Sequence, residues 1–489
     1  MMLVRARLVL LATALVAFGA SLGSGFHFDD YAIFTDPALQ SARGWLEVWG
    51  VRQTRPLTYF SFWVNRAIGA GDPLGYHLVN LLLHLGAVLL VWECLRRLLP
   101  ERTAWMAAAL FAMHPIQAEA VNYIWARSIL LATVLCMAAL WQWLEGRPWM
   151  ALGWFALALL AKEECAAFPL VLAWLAWRKG VAGVGRSGSA SWAAIGAMVA
   201  LSGAAGGRVI WALSVTPGAP GGAQAGISPS NYLLAQSVVI WRYLQLVIVP
   251  YGFTVDPEIH VAPWVGAVAW ALLLGVTVLM WRRAGAEIAT WFIAGLILLL
   301  PSSSIFPVAD ISADRRMYLP MFAFAVAAAI PLARTRRRTV LAVMGAVLVA
   351  VSVQRTVVWM TEASLWQEAV DRAPKKLRPK LQLARALPAA QALDLLAKAR
   401  LDAPYSPEIA TETGKILLGE GQADGALEEF GRALALSPLD ARNVNNRGVA
   451  LQALGQTEAA RGDFERALKM DATLSEAREN LAKLPARMQ

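Results

Sequence analysis

The chain carries apolar runs near positions 6–24, 76–95, 104–114, 128–145, 149–162, 165–178, 191–213, 263–281, 286–303, 317–333 and 339–358, most of them bounded by charge, Pro or Gly. No soluble fold has use for so many, so about eleven membrane crossings are predicted. Only 16% of the 489 residues are charged and 58% are hydrophobic, whereas an average soluble domain is about 25% charged. Several runs fall short of the roughly twenty residues that span a bilayer, which predicts broken or tilted helices around an internal cavity.

Charge fixes the orientation. The net charge of +10 is spread along the chain rather than gathered on one face, so nucleic acid is not an expected partner. Arg96-Arg97 with Arg102, Arg178-Lys179 with Arg186, Arg282-Arg283, and Arg334 with Arg336-Arg337-Arg338 mark cytoplasmic loops. The run 229–250, with Asn231, Gln236, Arg242, Tyr243 and Gln245, reads as interfacial or re-entrant. Residues 1–23 read as a cleaved signal peptide or a retained anchor, with retention preferred because the apolar run approaches a spanning length. Cys94, Cys136 and Cys165 have neither disulfide nor zinc spacing and read as buried thiols.

After Trp359 the composition turns Ala-, Leu- and Glu-rich, and a 34-residue period appears. Gly414 recurs at Gly448, Gly421 at Gly455, Ala426 at Ala460, Phe430 at Phe464 and Ala433 at Ala467. This is the tetratricopeptide spacing of a helix–turn–helix unit, with a degenerate copy near 371–404 through Ala392, Ala399 and Pro404. The domains are therefore 1–358, in the membrane, and 359–489, extracytoplasmic repeats.

Four groups can carry chemistry on the outer side. Asp29 and Asp30 follow the first run inside Phe26-His27-Phe28-Asp29-Asp30-Tyr31, where aromatic neighbours favour a carboxylate of raised pKa that accepts protons. His114-Pro115 stops a helix ahead of Glu119 and Arg127. Lys162-Glu163-Glu164 sits between two apolar runs, which demands pairing or a wet cavity. Arg315 and Arg316 break the positive-inside pattern and point to a phosphate partner. His77, Asn80 and His84 form one helical stripe, better suited to interhelical hydrogen bonds than to a metal.

These residues, in order, with Arg55-Pro56-Leu57, Tyr76-His77-Leu78-Val79-Asn80, Tyr318-Leu319-Pro320 and the repeat tail, resemble the transmembrane-and-tetratricopeptide-repeat O-mannosyltransferases over nearly the whole chain. The resemblance implies an all-α, polytopic helix bundle of the GT-C glycosyltransferase type followed by an α-solenoid. It implies a lipid-linked sugar phosphate as co-substrate rather than a cofactor, and protein Ser/Thr acceptors bound through the repeats. Asp29 and Asp30 become the catalytic pair, with Asp30 slightly preferred as base. Arg127, Lys162, Arg315 and Arg316 become ligands of the donor phosphate, and His114, Glu119, Arg55 and Glu163 support them, without a metal. The short tail and composition look bacterial, so an inner-membrane enzyme with a polyprenyl-phosphate sugar is expected. A glycan- or lipid-modifying transferase, a polysaccharide ligase and a non-catalytic scaffold are the alternatives.

Overall fold

The computed structural model describes residues 2–47, 54–69, 71–178, 188–215, 227–308 and 310–485. Among them there are helices and no strands. The chain divides into two compact units, Met1–Thr361 and Glu362–Gln489.

In the first unit six helices are long and apolar enough to cross a membrane: Leu3–Gly23, Pro73–Leu98, Ile124–Leu144, Ser189–Val215, Pro263–Ala284 and Arg338–Val358. Among the described residues these six meet the spanning length, so the expected count of about eleven is not confirmed. The other five runs form the helices Glu101–Met113, Pro148–Ala161, Phe168–Trp177, Ala286–Leu299 and Met321–Arg334, of 10 to 14 residues. At 1.5 Å per residue these reach at most about 21 Å, short of a hydrocarbon core of about 30 Å. Breakers account for three of them: Pro115 follows Glu101–Met113, Pro148 and Pro169 open the next two, and Lys162 is extended between those same two (φ −160°, ψ 130°). Short helices are tolerated where protein covers them. Met321–Arg334 is buried from Met321 to Val326, whereas Ser189–Val215 exposes most of its apolar surface, as lipid-facing helices do.

The helix Pro229–Ile248 is not among the six. Asn231 and Gln245 are exposed, whereas three of its other polar residues hold distant chain segments. Gln236 donates to the Ile311 carbonyl at 2.9 Å, Arg242 pairs with Asp314 at 2.5 Å, and Tyr243 Oη donates to the Ala313 carbonyl at 2.9 Å. Its opposite side lies against Pro263–Leu279 so closely that a Cβ on Gly266 would come within 2.7 Å of the Leu234 carbonyl oxygen.

Helix direction sorts the charges. Arg7, Arg96 and Arg97 share Glu93, Arg97 also reaches Glu145, and Arg102 donates to the Thr335 carbonyl, all at one end of the unit. The candidate site residues lie at the other ends of the same helices. Lys179 and Arg186 lie outside the described residues.

The second unit contains the helices Glu362–Arg372, Leu377–Ala386, Ala389–Asp402, Pro407–Gly419, Ala423–Leu436, Ala441–Ala453, Thr457–Met470 and Ser475–Lys483. The 34-residue period has a direct cause. Gly421 and Gly455 turn the chain at φ 75° and 74°, where a side chain is disfavoured. Gly414 and Gly448 admit the Phe430 and Phe464 rings, and a Cβ on Gly448 would sit 2.6 Å from Phe464. Gly448→Val is therefore expected to destabilise the repeats by about 1–3 kcal/mol. The check is a lower melting midpoint for the helical signal of the full chain, and an unchanged midpoint would contradict this packing.

Candidate active site

The acidic pair sits on a short 3-10 turn, Phe28–Tyr31, that begins with Phe28 at φ 46°. A bulky residue in that region costs about 1–3 kcal/mol unless its surroundings hold it there. They do so here. The Phe28 ring packs edge-on against Tyr123 and Trp359, with centroids 5.6 and 6.2 Å away. Asp30 N donates to the His27 carbonyl at 2.8 Å, and Asp30 Oδ2 accepts from His27 N at 2.9 Å.

The turn gives the two acids different environments. Asp30 is fully buried, and its Oδ1 accepts from Trp125 N at 2.7 Å. Burial pushes its pKa well above the ordinary carboxylate value; the backbone donors work against this and the neighbouring Asp29 adds to it. Asp29 is exposed, and its Oδ2 accepts from Tyr123 Oη at 3.0 Å. The Tyr123 hydroxyl is pushed well above its usual pKa, first by burial and then by Asp29 and Asp30. It therefore stays protonated and donates to Asp29.

His27 ties the turn to the last helix of the unit. Its Nε2 lies 2.7 Å from the Trp359 carbonyl, and its Nδ1 is buried with no hydrogen-bond partner. Protonation would create a second N–H with nothing to receive it. Burial, opposed weakly by the Trp359 carbonyl, accordingly lowers the pKa from 6.5 to about 4. A folded pKa below the unfolded one gives stability that is present above pH 6.5 and lost as the pH falls toward 4, about 3 kcal/mol in all. The expected result is a melting midpoint that falls between pH 6.5 and 4, with a shallower fall in His27→Asn. Equal slopes would contradict it.

Arg315 carries the network onward. Its guanidinium lies 5.7 Å from the Tyr123 ring centroid and is clamped by Glu119, which pairs with the side chain and accepts from Arg315 N at 3.1 Å. Asp310 Oδ2 is 3.2 Å from the same guanidinium. Lys162 pairs with Glu164 at 3.1 Å and lies within electrostatic reach of Arg55 and Arg315. Arg55 holds Glu163 through two hydrogen bonds of 3.0 and 2.5 Å. The fold thus gathers Asp29, Glu119, Arg315, Lys162, Glu163 and Arg55 from five separated stretches of chain.

Three residues expected at the site are structural struts. Arg127 is fully buried, and its donors go to Asn80 Oδ1 at 2.9 Å, the Ser61 carbonyl at 3.1 Å and the Tyr76 carbonyl at 3.0 Å, while Phe62 covers its face. Enclosed in this way, the guanidinium has no exposed face to offer a phosphate. Arg316 is 5% exposed and donates to the carbonyls of Ile311 and Asp310. His114 is buried between the Val247 carbonyl and Ile116 N, where its Nδ1 caps the next turn. The stripe of His77, Asn80 and His84 also joins chain segments, through Gly25 O, Tyr123 O and Tyr318 Oη. Sequence reasoning passed over Tyr123 and Trp359. Only a phenol in the loop between Glu119 and Arg127 hinted at the first.

No family model matches the chain. It is similar to protein O-mannosyl-transferase Tmtc2 of Drosophila melanogaster, 37% identical in an alignment of 199 residues that covers 35% of this chain and 21% of that protein. It is also similar to protein O-mannosyl-transferase F38B6.6 of Caenorhabditis elegans, 32% identical over 155 residues, 28% of this chain and 22% of that protein. The chain spans about a fifth of the length of these relatives. Among solved structures, the first TPR of Spaghetti (RPAP3) bound to an HSP90 peptide is 24% identical with a TM-score of 0.20, over 25% of this chain and 89% of that one. Both enzymes are animal proteins, so the similarity gives no support to a bacterial source.

Proposed function

We propose that this chain is a membrane glycosyltransferase that moves mannose or a similar hexose from a polyprenyl-phosphate donor to Ser/Thr hydroxyls of proteins, with the repeats holding the acceptor polypeptide. The observation that carries this reading is the asymmetry of the acidic pair. An exposed carboxylate sits on a strained turn beside a phenol that can only donate, and its buried neighbour is held by backbone amides. Acids that serve only to keep a helix end wet need no such construction. The similarity to the two O-mannosyl-transferases supports the sugar and the hydroxyl acceptor.

Geometry favours Asp29 over Asp30 as the base, reversing the preference taken from sequence. The acceptor O–H gives its proton to Asp29 while its oxygen forms a bond to the anomeric carbon. The bond from that carbon to the lipid phosphate breaks on the opposite face, so the configuration inverts. The departing phosphate keeps the electron pair, and Arg315, Lys162 and Arg55 stabilise it. Arginine clusters at the opposite helix ends support an outward-facing site.

The test is a glycopeptide comparison of surface and secreted proteins from cells with and without the gene. Hexose on Ser/Thr is expected to disappear from a defined set of proteins. Unchanged hexosylation would sink the proposal.

A further inference from the structure

An apolar groove of about 200 Å³ runs between the helices Glu101–Met113 and Arg338–Val358, and Leu332 of Met321–Arg334 also lines it. Its lining follows one face of each helix. Arg102, Met106, Leu110 and Met113 recur every three or four residues on the first, and Leu341, Met344 and Leu348 do so on the second. The rise from Arg102 to Met113 makes the groove about 16 Å long at 1.5 Å per residue. The void opens beside Gly345, where a Cβ would meet nothing nearer than Met113 Sδ at 3.9 Å. At the far end Ser352 Oγ donates to the Met113 carbonyl at 2.6 Å and ties the two helices together.

The near end is strongly basic. Arg102 lines the groove, while Arg334, Arg336, Arg337 and Arg338 lie in or beside the connection between the other two helices, and all five are exposed. Arg102 donates to the Thr335 carbonyl at 2.6 Å, which brings the two basic segments together. Residues 332–348 contain no acid, and Glu101, itself exposed, is the one acid of 101–113. Elsewhere at this end the protein neutralises its own charge, since Arg7, Arg96 and Arg97 pair with Glu93 and Glu145. Among the described residues no carboxylate pairs with Arg102, Arg334, Arg336, Arg337 or Arg338. Five cations without a counter-charge therefore stand at the open end of a hydrocarbon-lined slot.

Such a slot fits an amphiphile with an anionic head and an acyl chain. Val340, Val343 and Val347, on the same helix as Gly345, are each more than half exposed, as lipid-facing residues are, so the groove borders the bilayer. Basic pockets between membrane helices take anionic head groups, and guanidinium groups bind phosphate oxygens in pairs. We propose that this groove binds one anionic phospholipid from the leaflet on the arginine side, with an acyl chain along Met106 and Gly345 and the phosphate among Arg102 and Arg336–Arg338. A ligand held by the folded chain alone stabilises it, so the lipid braces three helices of which two are too short to span by themselves.

The test titrates the full chain, purified and delipidated in detergent, with dioleoyl phosphatidylglycerol and with dioleoyl phosphatidylcholine, and counts bound lipid by native mass spectrometry. One phosphatidylglycerol is expected to bind about tenfold or more tightly than phosphatidylcholine, and to raise the melting midpoint. Gly345→Trp, which fills the groove and leaves every arginine in place, is expected to weaken phosphatidylglycerol binding by about tenfold. Val343→Trp, on the lipid-facing side of the same helix, is expected to leave it unchanged. Arg336→Gln, Arg337→Gln and Arg338→Gln together are expected to bring the ratio of the two lipids near one. Equal affinity for both lipids in the unaltered chain overturns the site. So does phosphatidylglycerol binding that falls with the arginines but is undiminished in Gly345→Trp, because that is adsorption to a charged surface without the groove. Neither outcome touches the transferase reading, whose residues lie elsewhere in the unit.

Discussion

Asp29→Asn is expected to lose hexose transfer by a factor of about 10²–10⁴, the usual contribution of a general base, while the melting midpoint hardly moves. Asp29 is exposed and the one described hydrogen bond to its side chain comes from Tyr123. An amide oxygen can accept that bond, so the fold loses little, but the amide cannot take a proton from the acceptor hydroxyl. Asp30→Asn should behave in the opposite way. Asp30 receives His27 N on one oxygen and Trp125 N on the other, and an asparagine turns an NH₂ toward one of these donors. Leaving a buried N–H unsatisfied costs about 1–3 kcal/mol, so the Asp30 variant should melt earlier. The pair of variants, assayed together for transfer and for melting, separates a catalytic carboxylate from a structural one. Loss of transfer in Asp30→Asn with a normal midpoint, and full transfer in Asp29→Asn, would reverse the roles.

Arg127→Ala carries the largest expected effect on the fold. Removing the guanidinium strips donors from Asn80, the Ser61 carbonyl and the Tyr76 carbonyl at once, and it opens a cavity beneath Phe62, whose ring centroid lies 4.6 Å from the guanidinium carbon. Several buried acceptors left unpaired, together with the cavity, place the loss at about 3–5 kcal/mol. Much of a domain's total stability is of that size. Arg127→Lys should recover little, because a single ammonium cannot serve three acceptors spread around a planar fork. The measurement is the yield of folded protein and its melting midpoint in detergent. If Arg127 held the donor phosphate instead, the alanine variant would fold normally and show only a raised KM for donor.

The contacts of Arg127 are not legible in the sequence. Hydrophobic runs, the Gly/Phe period and the order of the charged motifs are local signals, and they foretold helices, repeats and the residues that share one end of the bundle. Whether a charged residue faces a ligand or a backbone carbonyl depends on partners far away in sequence. Arg127 meets Tyr76 51 positions earlier, and His27 meets Trp359 332 positions later. The same limit applies to the acidic pair. Two adjacent aspartates are equivalent in a sequence, and only the turn at Phe28 sends one inward and the other out. The five shorter runs show the same limit, because hydropathy reports burial without saying whether lipid or protein does the burying.

In the proposed reaction Asp29 takes a proton from an acceptor hydroxyl as a lipid-borne hexose is transferred to it. The most direct measurement uses the purified full chain in liposomes with labelled polyprenyl phosphomannose and a Ser/Thr-containing peptide. The predicted result is label on the peptide, with inverted anomeric configuration, and a rate that collapses in Asp29→Asn. Label on the peptide at an undiminished rate in Asp29→Asn, or retention of configuration, would contradict the account.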